Sequence, residues 1–460
     1  MELENARENY VQRKKGKRVL LFPLSIQGHL NPMLQLGDIL YSNGFDITVI
    51  HTKFNTPNKA NYPNFSFHSI PDGLLPSEAN ADRVIRLIIR LNHTCGNPLR
   101  EALSKILSQD TEGNIACLII DVDWWITHPI ADSFNLPVIS LRTSSIFSFL
   151  VFAAFPTLRS QGYFPIQESR LEERTEIPYL KVKDIPMIYT STYEEVYAFT
   201  VNMIKSSRLS KAIVWNTAEA LEEESYPQVL REWDNPQYIL GPYMKLFPST
   251  TSSLLQHDRS CITWLDEQSP NSVLYVSFGS IVQIQQREFL EVAWGLVNSG
   301  QTFLWVIRQN AIIGAEWHEI LPDNFIENLG GRGKIVGWCP QQEVLAHPAV
   351  GGFWSHCGWN STLEGISLGV PFLCTPMQGD QFVDSRYVSD VYKAGVHLEG
   401  KFERTEIARA VQRLLVEKEG DEMRKRAKDL KEKIEFEMKP GGSAHRAQEE
   451  LANLIMSFTK

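Results

Sequence analysis

The sequence has little of what common ligand-holding frameworks require. Its six cysteines (Cys95, Cys117, Cys261, Cys339, Cys357 and Cys374) form no C-x-x-C pair. That spacing excludes a zinc ribbon and suits a reducing, cytoplasmic compartment. No G-x-x-x-x-G-K-[ST] loop occurs, and no G-x-G-x-x-G follows the first apolar run, where a dinucleotide fold would put it. Gly330-Gly331-Arg332-Gly333 is glycine-rich but precedes a strand and reads as a turn. H-E-x-x-H is missing, and Gly365-Ile366-Ser367-Leu368-Gly369, which spells G-x-S-x-G, is not read as a nucleophile elbow. His347 and His356 lack carboxylate or thiol partners at ligand spacing, so no metal is expected. The longest apolar run near mid-chain, Ile146 to Phe155, falls far short of the roughly 18–20 residues of a membrane span. Basic charge is not in excess either. Lys and Arg number 45 against 54 Asp and Glu, a net charge of -9, which argues against a nucleic-acid footprint.

What remains is ordinary globular material, 43% apolar and 22% charged over 460 residues. At roughly 100–200 residues per domain, that length predicts two or three domains. Residues 1–18 are dense in charge and read as a disordered tail. Two glycosylation sequons, Asn64-Phe65-Ser66 and Asn92-His93-Thr94, read as chance matches without a secretory signal.

Val19 to Phe22 is a short apolar run suited to a buried parallel strand. A turn at Gln27-Gly28-His29 follows, and Asn31-Pro32 reads as a helix cap and first helical residue. Met33, Leu36 and Leu40 recur at helical spacing before Gly44, and Ile47 to Ile50 is the next strand. The alternation continues with strands at Cys117–Ile120, Val138–Leu141 and Ala212–Trp215. A second series has strands at Val273–Phe278, Thr302–Val306, Gly352–Trp354 and Phe372–Cys374. Between the two lies a Ser-, Thr- and Pro-rich stretch from Gly241 to His257, a linker by composition. The pattern predicts two α/β halves, each a parallel sheet covered on both faces. Ligands of such sheets sit beyond the carboxyl ends of the strands. The polar residues placed there are His29, Asp121 and Thr143 in the first half, and Ser280, His356, Asn360, Glu364 and Asp380 in the second.

The segment from Trp338 to Gln381, WCPQQEVLAHPAVGGFWSHCGWNSTLEGISLGVPFLCTPMQGDQ, is rich in Trp, His, Gln, Gly and Asn around strand ends. Within it, Ser355 to Ser361 joins a strand to a helix whose free N–H groups suit an anionic phosphate. Gly358 permits close backbone approach, and His356 adds a hydrogen bond or a positive charge. Over its full length the segment resembles the signature box of the plant family-one UDP-glycosyltransferases. Phe22-Pro23 through Gln27-Gly28-His29-Leu30-Asn31-Pro32 is similar to the first loop of that family, and Ser272 to Ser280 to its donor-domain opening strand. Leu180 to Ile185, and His257-Asp258-Arg259 ahead of Trp264-Leu265-Asp266, fit as well. The detail resembles the subfamily containing steviol-glycoside glucosyltransferases.

The resemblance implies an α/β chain of GT-B fold, two Rossmann-like parallel-sheet domains facing a central cleft. Residues 19–245 would bind the acceptor and 266–440 the UDP-sugar, joined by a linker at 246–265. Residues 441–460 would form a helix packing back on the first domain. Trp338 would stack on uracil, for which an indole face is suited. Cys339 backbone would pair with the base edge, and Gln341 would lie near the ribose. Glu364 would accept from both ribose hydroxyls, as a carboxylate can. Ser280, His356, Asn360 and Ser361 would hold the diphosphate, with Trp359 in the same cradle. Asp380 and Gln381 would contact sugar hydroxyls, Gln381 favouring UDP-glucose, and Thr143 would reach the sugar from the other domain.

His29 would be the general base, with Asp121 orienting its far nitrogen. The implied reaction is inverting transfer of glucose to a hydroxyl, giving a β-O-glucoside with no metal or other cofactor. Partners would be a UDP-sugar and a small apolar aglycone or glycoside, such as a terpenoid, flavonoid, phenolic or hormone. A monomer is expected. Gln27, Trp124, Trp125, Phe147 and Phe199 are candidate acceptor-pocket residues, together with Phe149, Phe152 and Phe155. Transfer to nitrogen, thiol or carboxylate, or from another UDP-sugar, stays open. A dinucleotide oxidoreductase would need a glycine-rich turn after Phe22, where Pro23-Leu24-Ser25-Ile26 stands instead. A dead sugar-nucleotide binder would lack His29 or Asp121, and both are present.

Overall fold

The computed structural model describes residues 16–75, 78, 83–247, 257–322 and 325–458. Residues 1–15 of the expected charged tail and 248–256 of the expected linker lie outside the described residues.

Two parallel sheets organise the chain, with seven and six strands. The first contains β1 (Arg18–Phe22), β2 (Asp46–Thr52), β3 (Ser66–Ile70), β4 (Ile115–Asp121), β5 (Val138–Arg142), β6 (Ile213–Trp215) and β7 (Gln237–Ile239). The second contains β8 (Val273–Ser277), β9 (Thr302–Val306), β10 (Gly333–Val336), β11 (Val350–Ser355), β12 (Phe372–Cys374) and β13 (Gly395–His397). Helices cover both faces, so central strands carry unbroken apolar runs rather than alternation. Val19 through Phe22 and Cys117 through Ile120 are accordingly all fully buried.

Strand order fixes where ligands enter. The first sheet runs β3-β2-β1-β4-β5-β6-β7 and the second β10-β9-β8-β11-β12-β13. The strands are all parallel, but the order in which the chain adds them reverses between β1 and β4, and again between β8 and β11. A crevice opens beyond the strand ends at such switch points. His29 follows β1 and Asp121 ends β4; Ser280 follows β8 and His356 follows β11.

The helices that bear on these crevices are α1 (Gln27–Ser42), α2 (Val84–Thr94), α3 (Ile146–Ala153), α4 (Tyr193–Leu209), α5 (Gln286–Ser299), α6 (Gln341–Ala346), α7 (Trp359–Leu368), α8 (Gln381–Arg386), α9 (Lys418–Glu437) and α10 (Ser443–Ser457). Helix α1 begins earlier than its sequence suggests. Its cap is Ile26, in extended conformation, and Gln27-Gly28-His29 forms the first helical turn rather than a loop. Asn31 and Pro32 therefore lie inside the helix. Pro32 has no N–H to give to the Gly28 carbonyl four residues back. That oxygen instead accepts the Asn360 side-chain amide at 2.7 Å, from the other half of the molecule.

Strands β3, β7 and β13 were not legible in the sequence. Two of them are three residues long, and β3 is partly exposed with Ser and His among its five residues. At the far end, α9 packs on α7 and reaches the turn at Glu219–Leu221. Helix α10 then lies on the first sheet beside β7 and β4, burying Leu451 and Ile455 in that core. Lys17 donates to the Met456 and Phe458 carbonyls, both at 2.7 Å, tying the two ends of the described chain together. No helix among the described residues is long and apolar enough to cross a membrane. The second sequon is a structural feature: Asn92 is buried and donates to the carbonyls of Ile88 and Asp123.

Candidate active site

A cavity of about 300 Å³ lies between the two sets of strand ends, lined from both halves. From the first half come the start of α1, the end of β5 and the apolar face of α2. From the second come the loop after β8, residues Trp338 to Gln342, the β11–α7 junction and Gln378 to Gln381.

On the first wall, His29 Nδ1 meets Asp121 Oδ2 at 2.7 Å. The Thr143 hydroxyl is 3.3 Å from the same nitrogen. Asp121 is completely buried, and its second oxygen accepts the Asp123 N–H at 3.0 Å, so it cannot turn away. Burial pulls the His29 pKa down, but the charge and hydrogen bond of Asp121, with Asp123 adding, hold it above its usual value. His29 itself lines the cavity while Asp121 sits behind it.

The second wall is a hydrogen-bonded chain. Tyr275 OH donates to Gln341 Oε1 at 2.9 Å. Gln341 Nε2 donates to Ser361 Oγ at 3.0 Å and to Glu364 Oε2 at 2.6 Å. Gln342 Nε2 donates to Glu364 Oε1 at 2.9 Å. Both Glu364 oxygens are thus oriented, each with a lone pair left for a ligand hydroxyl. Burial raises the Glu364 pKa against these amides. Trp338 is half-buried on the rim, and the Cys339 thiol lies 3.4 Å from Tyr275 OH.

Helix α7 starts at Gly358 without a side-chain cap, so the N–H groups of its first turn are available to an anion. His356 is wedged between two glycines: a Cβ at Gly279 or Gly358 would stand 2.6 Å from its Nε2. Burial pushes its pKa down to about 4. Of the hydrogen bond or positive charge that this ring could add, burial favours the neutral, hydrogen-bonding form. Trp359 lines the cavity, but its indole N–H is already committed to the Asn216 carbonyl at 2.9 Å, across the domain interface. Ser280, Asn360 and Ser361 line the same space. Gln381 Oε1 accepts the N–H groups of Met377 and Gln378, both at 3.0 Å. Gly379 N donates to the Met187 carbonyl at 2.7 Å, pinning that loop to the first half. Asp380, its pKa raised by burial, faces Arg142 and His29.

The acceptor-pocket expectations divide. Gln27, Phe152 and Phe199 line the cavity. Trp124 does not: it is fully buried and stacks on Phe22 at 4.4 Å. Trp125 is outside the lining and packs edge-on against Phe199. Phe147 stacks on Tyr387 at 4.1 Å, across the interface, and Phe149 and Phe155 are core. Val84, Ile85 and Ile88 of α2, with Ile188, form the apolar wall that sequence reasoning missed. Arg142 was missed too. It is buried at the end of β5, donates to Ser144 Oγ at 2.8 Å and stands 3.5 Å from Asp123. A cation ending an apolar strand was the available signal.

Two Rossmann-like parallel-sheet domains, closing on one cleft from their facing switch points, have the architecture of the GT-B fold. Residues 180–427 match the family described as UDP-glucoronosyl and UDP-glucosyl transferase. UDP-glycosyltransferase 76B1 of Arabidopsis thaliana is 47% identical over 96% of this chain and 98% of its own. UDP-glycosyltransferase 76G1 of Stevia rebaudiana is 42% identical over 99% and 100%. Among solved structures, Phytolacca americana UGT2 complexed with UDP-2fluoro-glucose and pterostilbene superposes with a TM-score of 0.81 at 25% identity, covering 96% of this chain and all of that one. Os79 from O. sativa in complex with UDP gives 0.81 at 26%, covering 95% of this chain and all of its own. The chain belongs to the plant UDP-glycosyltransferases, enzymes that glycosylate small molecules.

Proposed function

We propose that this enzyme transfers glucose from UDP-glucose to a hydroxyl of a small apolar acceptor, with inversion. One observation carries the reading. A single cavity holds an imidazole tied through Nδ1 to a buried carboxylate and, on its other wall, an indole beside a carboxylate gripped by two amides. With Nδ1–H donated to Asp121, His29 Nε2 is left as a proton acceptor. It takes the acceptor's hydroxyl proton as that oxygen attacks the anomeric carbon on the face opposite the diphosphate. The carbon–oxygen bond to phosphate breaks, and its electron pair leaves with UDP. Asp121 stabilises the imidazolium that forms.

Trp338 supplies the uracil platform, Cys339 backbone the base edge, and Glu364 the ribose contacts. The N–H groups opening α7, with Ser280, Asn360, Ser361 and neutral His356, stabilise the departing diphosphate. The complexes of the solved relatives support this use of the cleft. The apolar wall of α2 with Phe152 and Phe199 suits a flat aglycone.

No metal is assigned a role. His29, Asp121 and Asp123 bring three donor atoms within 4.8 Å. Yet His29 Nδ1 is committed to Asp121 by the 2.7 Å hydrogen bond, which a cation at this cluster would have to displace. The test is to incubate the enzyme with UDP-glucose, UDP-galactose or UDP-xylose against a panel of phenols, flavonoids and terpenoid alcohols, with and without EDTA. Products are followed by mass. UDP-glucose turnover that persists in EDTA is expected. A stronger preference for another donor, or loss of activity in EDTA, overturns the reading.

A further inference from the structure

Helix α1 carries the imidazole, and α7 opens onto the other wall of the cleft. They meet through one hydrogen bond, Asn360 Nδ2 to the Gly28 carbonyl at 2.7 Å. In an uninterrupted helix the Gly28 oxygen would accept the N–H of residue 32. Residue 32 is proline, so that donor does not exist, and the ring crowds the same carbonyl. The oxygen is therefore left for a partner outside the helix. A proline inside a helix is strongly destabilising, so its presence one residue after Asn31, in the wall of the cleft, calls for a compensating role.

We propose that Pro32 is a positioning residue: by withholding its N–H from the Gly28 carbonyl, it reserves that oxygen for Asn360 and so sets the His29 helix against the second domain. His29 follows Gly28 directly, so whatever fixes the Gly28 peptide fixes the backbone from which the imidazole springs. The amide of Asn360 has two N–H groups. One holds Gly28; the other, beside the uncapped N–H groups of α7, stays free for the donor diphosphate. A single side chain thereby ties the base to the group that departs. The catalytic consequence rests on the proposed transfer reaction; the contact itself does not.

The test is a double-mutant cycle of Pro32→Ala and Asn360→Ala, read in two ways. Pro32→Ala restores the backbone N–H, which captures the Gly28 carbonyl within α1. With UDP-glucose and 2,4,5-trichlorophenol as probes, Pro32→Ala is expected to lower kcat by about tenfold with little change in the donor KM. Its Tm should stay level or rise, because a helix-interrupting residue is gone. In the Asn360→Ala background the same substitution should do nothing further to kcat. The second readout needs no turnover. Asn360→Ala should speed amide exchange in the segment 23–34 when Pro32 is present, and not in the Pro32→Ala background. Independent kcat losses that multiply, or unchanged exchange in Asn360→Ala, overturn the proposal. Absence of glucoside from the wild-type enzyme across the whole acceptor panel would instead overturn the transfer reading, and the exchange cycle would still decide the role of Pro32.

Discussion

His29 Nδ1 and Asp121 Oδ2 lie 2.7 Å apart, one in the first turn of α1, which follows β1, and the other closing β4, the neighbour of β1 at the switch point of the first sheet. The pairing fixes the tautomer: Nδ1 carries the proton and Nε2 takes one. Asp121→Asn keeps the shape, but its amide can donate to Nδ1 and drive the proton to Nε2, where it blocks base action. A loss in kcat of roughly 10²–10⁴-fold is expected. The pH profile should change as well. His29 works when neutral, and its pKa lies above the ordinary value, so wild-type kcat/KM climbs through a limb above about 6.5. Removing the Asp121 charge leaves burial as the dominant influence, and the limb should move to lower pH. A full rate with an unmoved limb would show that the pair does not act in the reaction.

Glu364 is the next point of leverage. Its two oxygens are held by Gln341 and Gln342, and burial has already raised its pKa. Glu364→Gln replaces a charged acceptor with a neutral group that also presents N–H to the two glutamine amides. UDP affinity by calorimetry should fall by roughly 10–100-fold, the scale of a lost charge-assisted hydrogen bond. Wild type should prefer UDP to 2′,3′-dideoxy-UDP, and the variant should not. Equal discrimination in both proteins would remove Glu364 from the ribose.

Much of this site is legible in the sequence, and for one reason. Parallel strands buried on both faces are read from continuous apolar runs, and their carboxyl ends are where ligands sit. Asp121 and His356 stand out on that ground alone. The start of α1 is hidden because Asn31-Pro32 imitates a helix entry; only the Asn360 contact explains a proline deeper in the helix. The acceptor wall is hidden because aromatic character says nothing about direction. Helix α3 is apolar all round, so Phe147, Phe149 and Phe152 carry the same signal yet face the interface, the core and the cavity respectively. Arg142 escapes because a buried cation runs against expectation unless its partner, Asp123, is already known.

Donor choice should respond at Gln381. Its Oε1 holds two backbone N–H groups of the 377–378 loop, which leaves Nε2 to face the cavity. Histidine has one ring nitrogen able to accept when neutral and loses part of that grip. Gln381→His should reduce kcat/KM for UDP-glucose by about tenfold and raise the ratio of UDP-galactose to UDP-glucose turnover. Competition assays with both donors measure that ratio directly. An unchanged ratio would mean that the sugar is read elsewhere.

Acid sensitivity follows from His356. In the unfolded chain its imidazole takes a proton near 6.5, whereas burial holds the folded value down to about 4. Between those two values the unfolded state binds more protons. Stability therefore rises with pH across that window and is lost as pH falls through it, by up to a factor of about ten in the folding equilibrium per pH unit. His356→Gln removes the titration while keeping a hydrogen-bonding side chain between Gly279 and Gly358. Urea unfolding at pH 7 and at pH 4.5 should show a smaller drop in the variant than in wild type, although the variant starts from a lower value because glutamine packs less well there. If both proteins lose the same stability on acidification, the imidazole takes its proton as readily in the native fold as in the unfolded chain. In that case burial would not hold the imidazole neutral across that window.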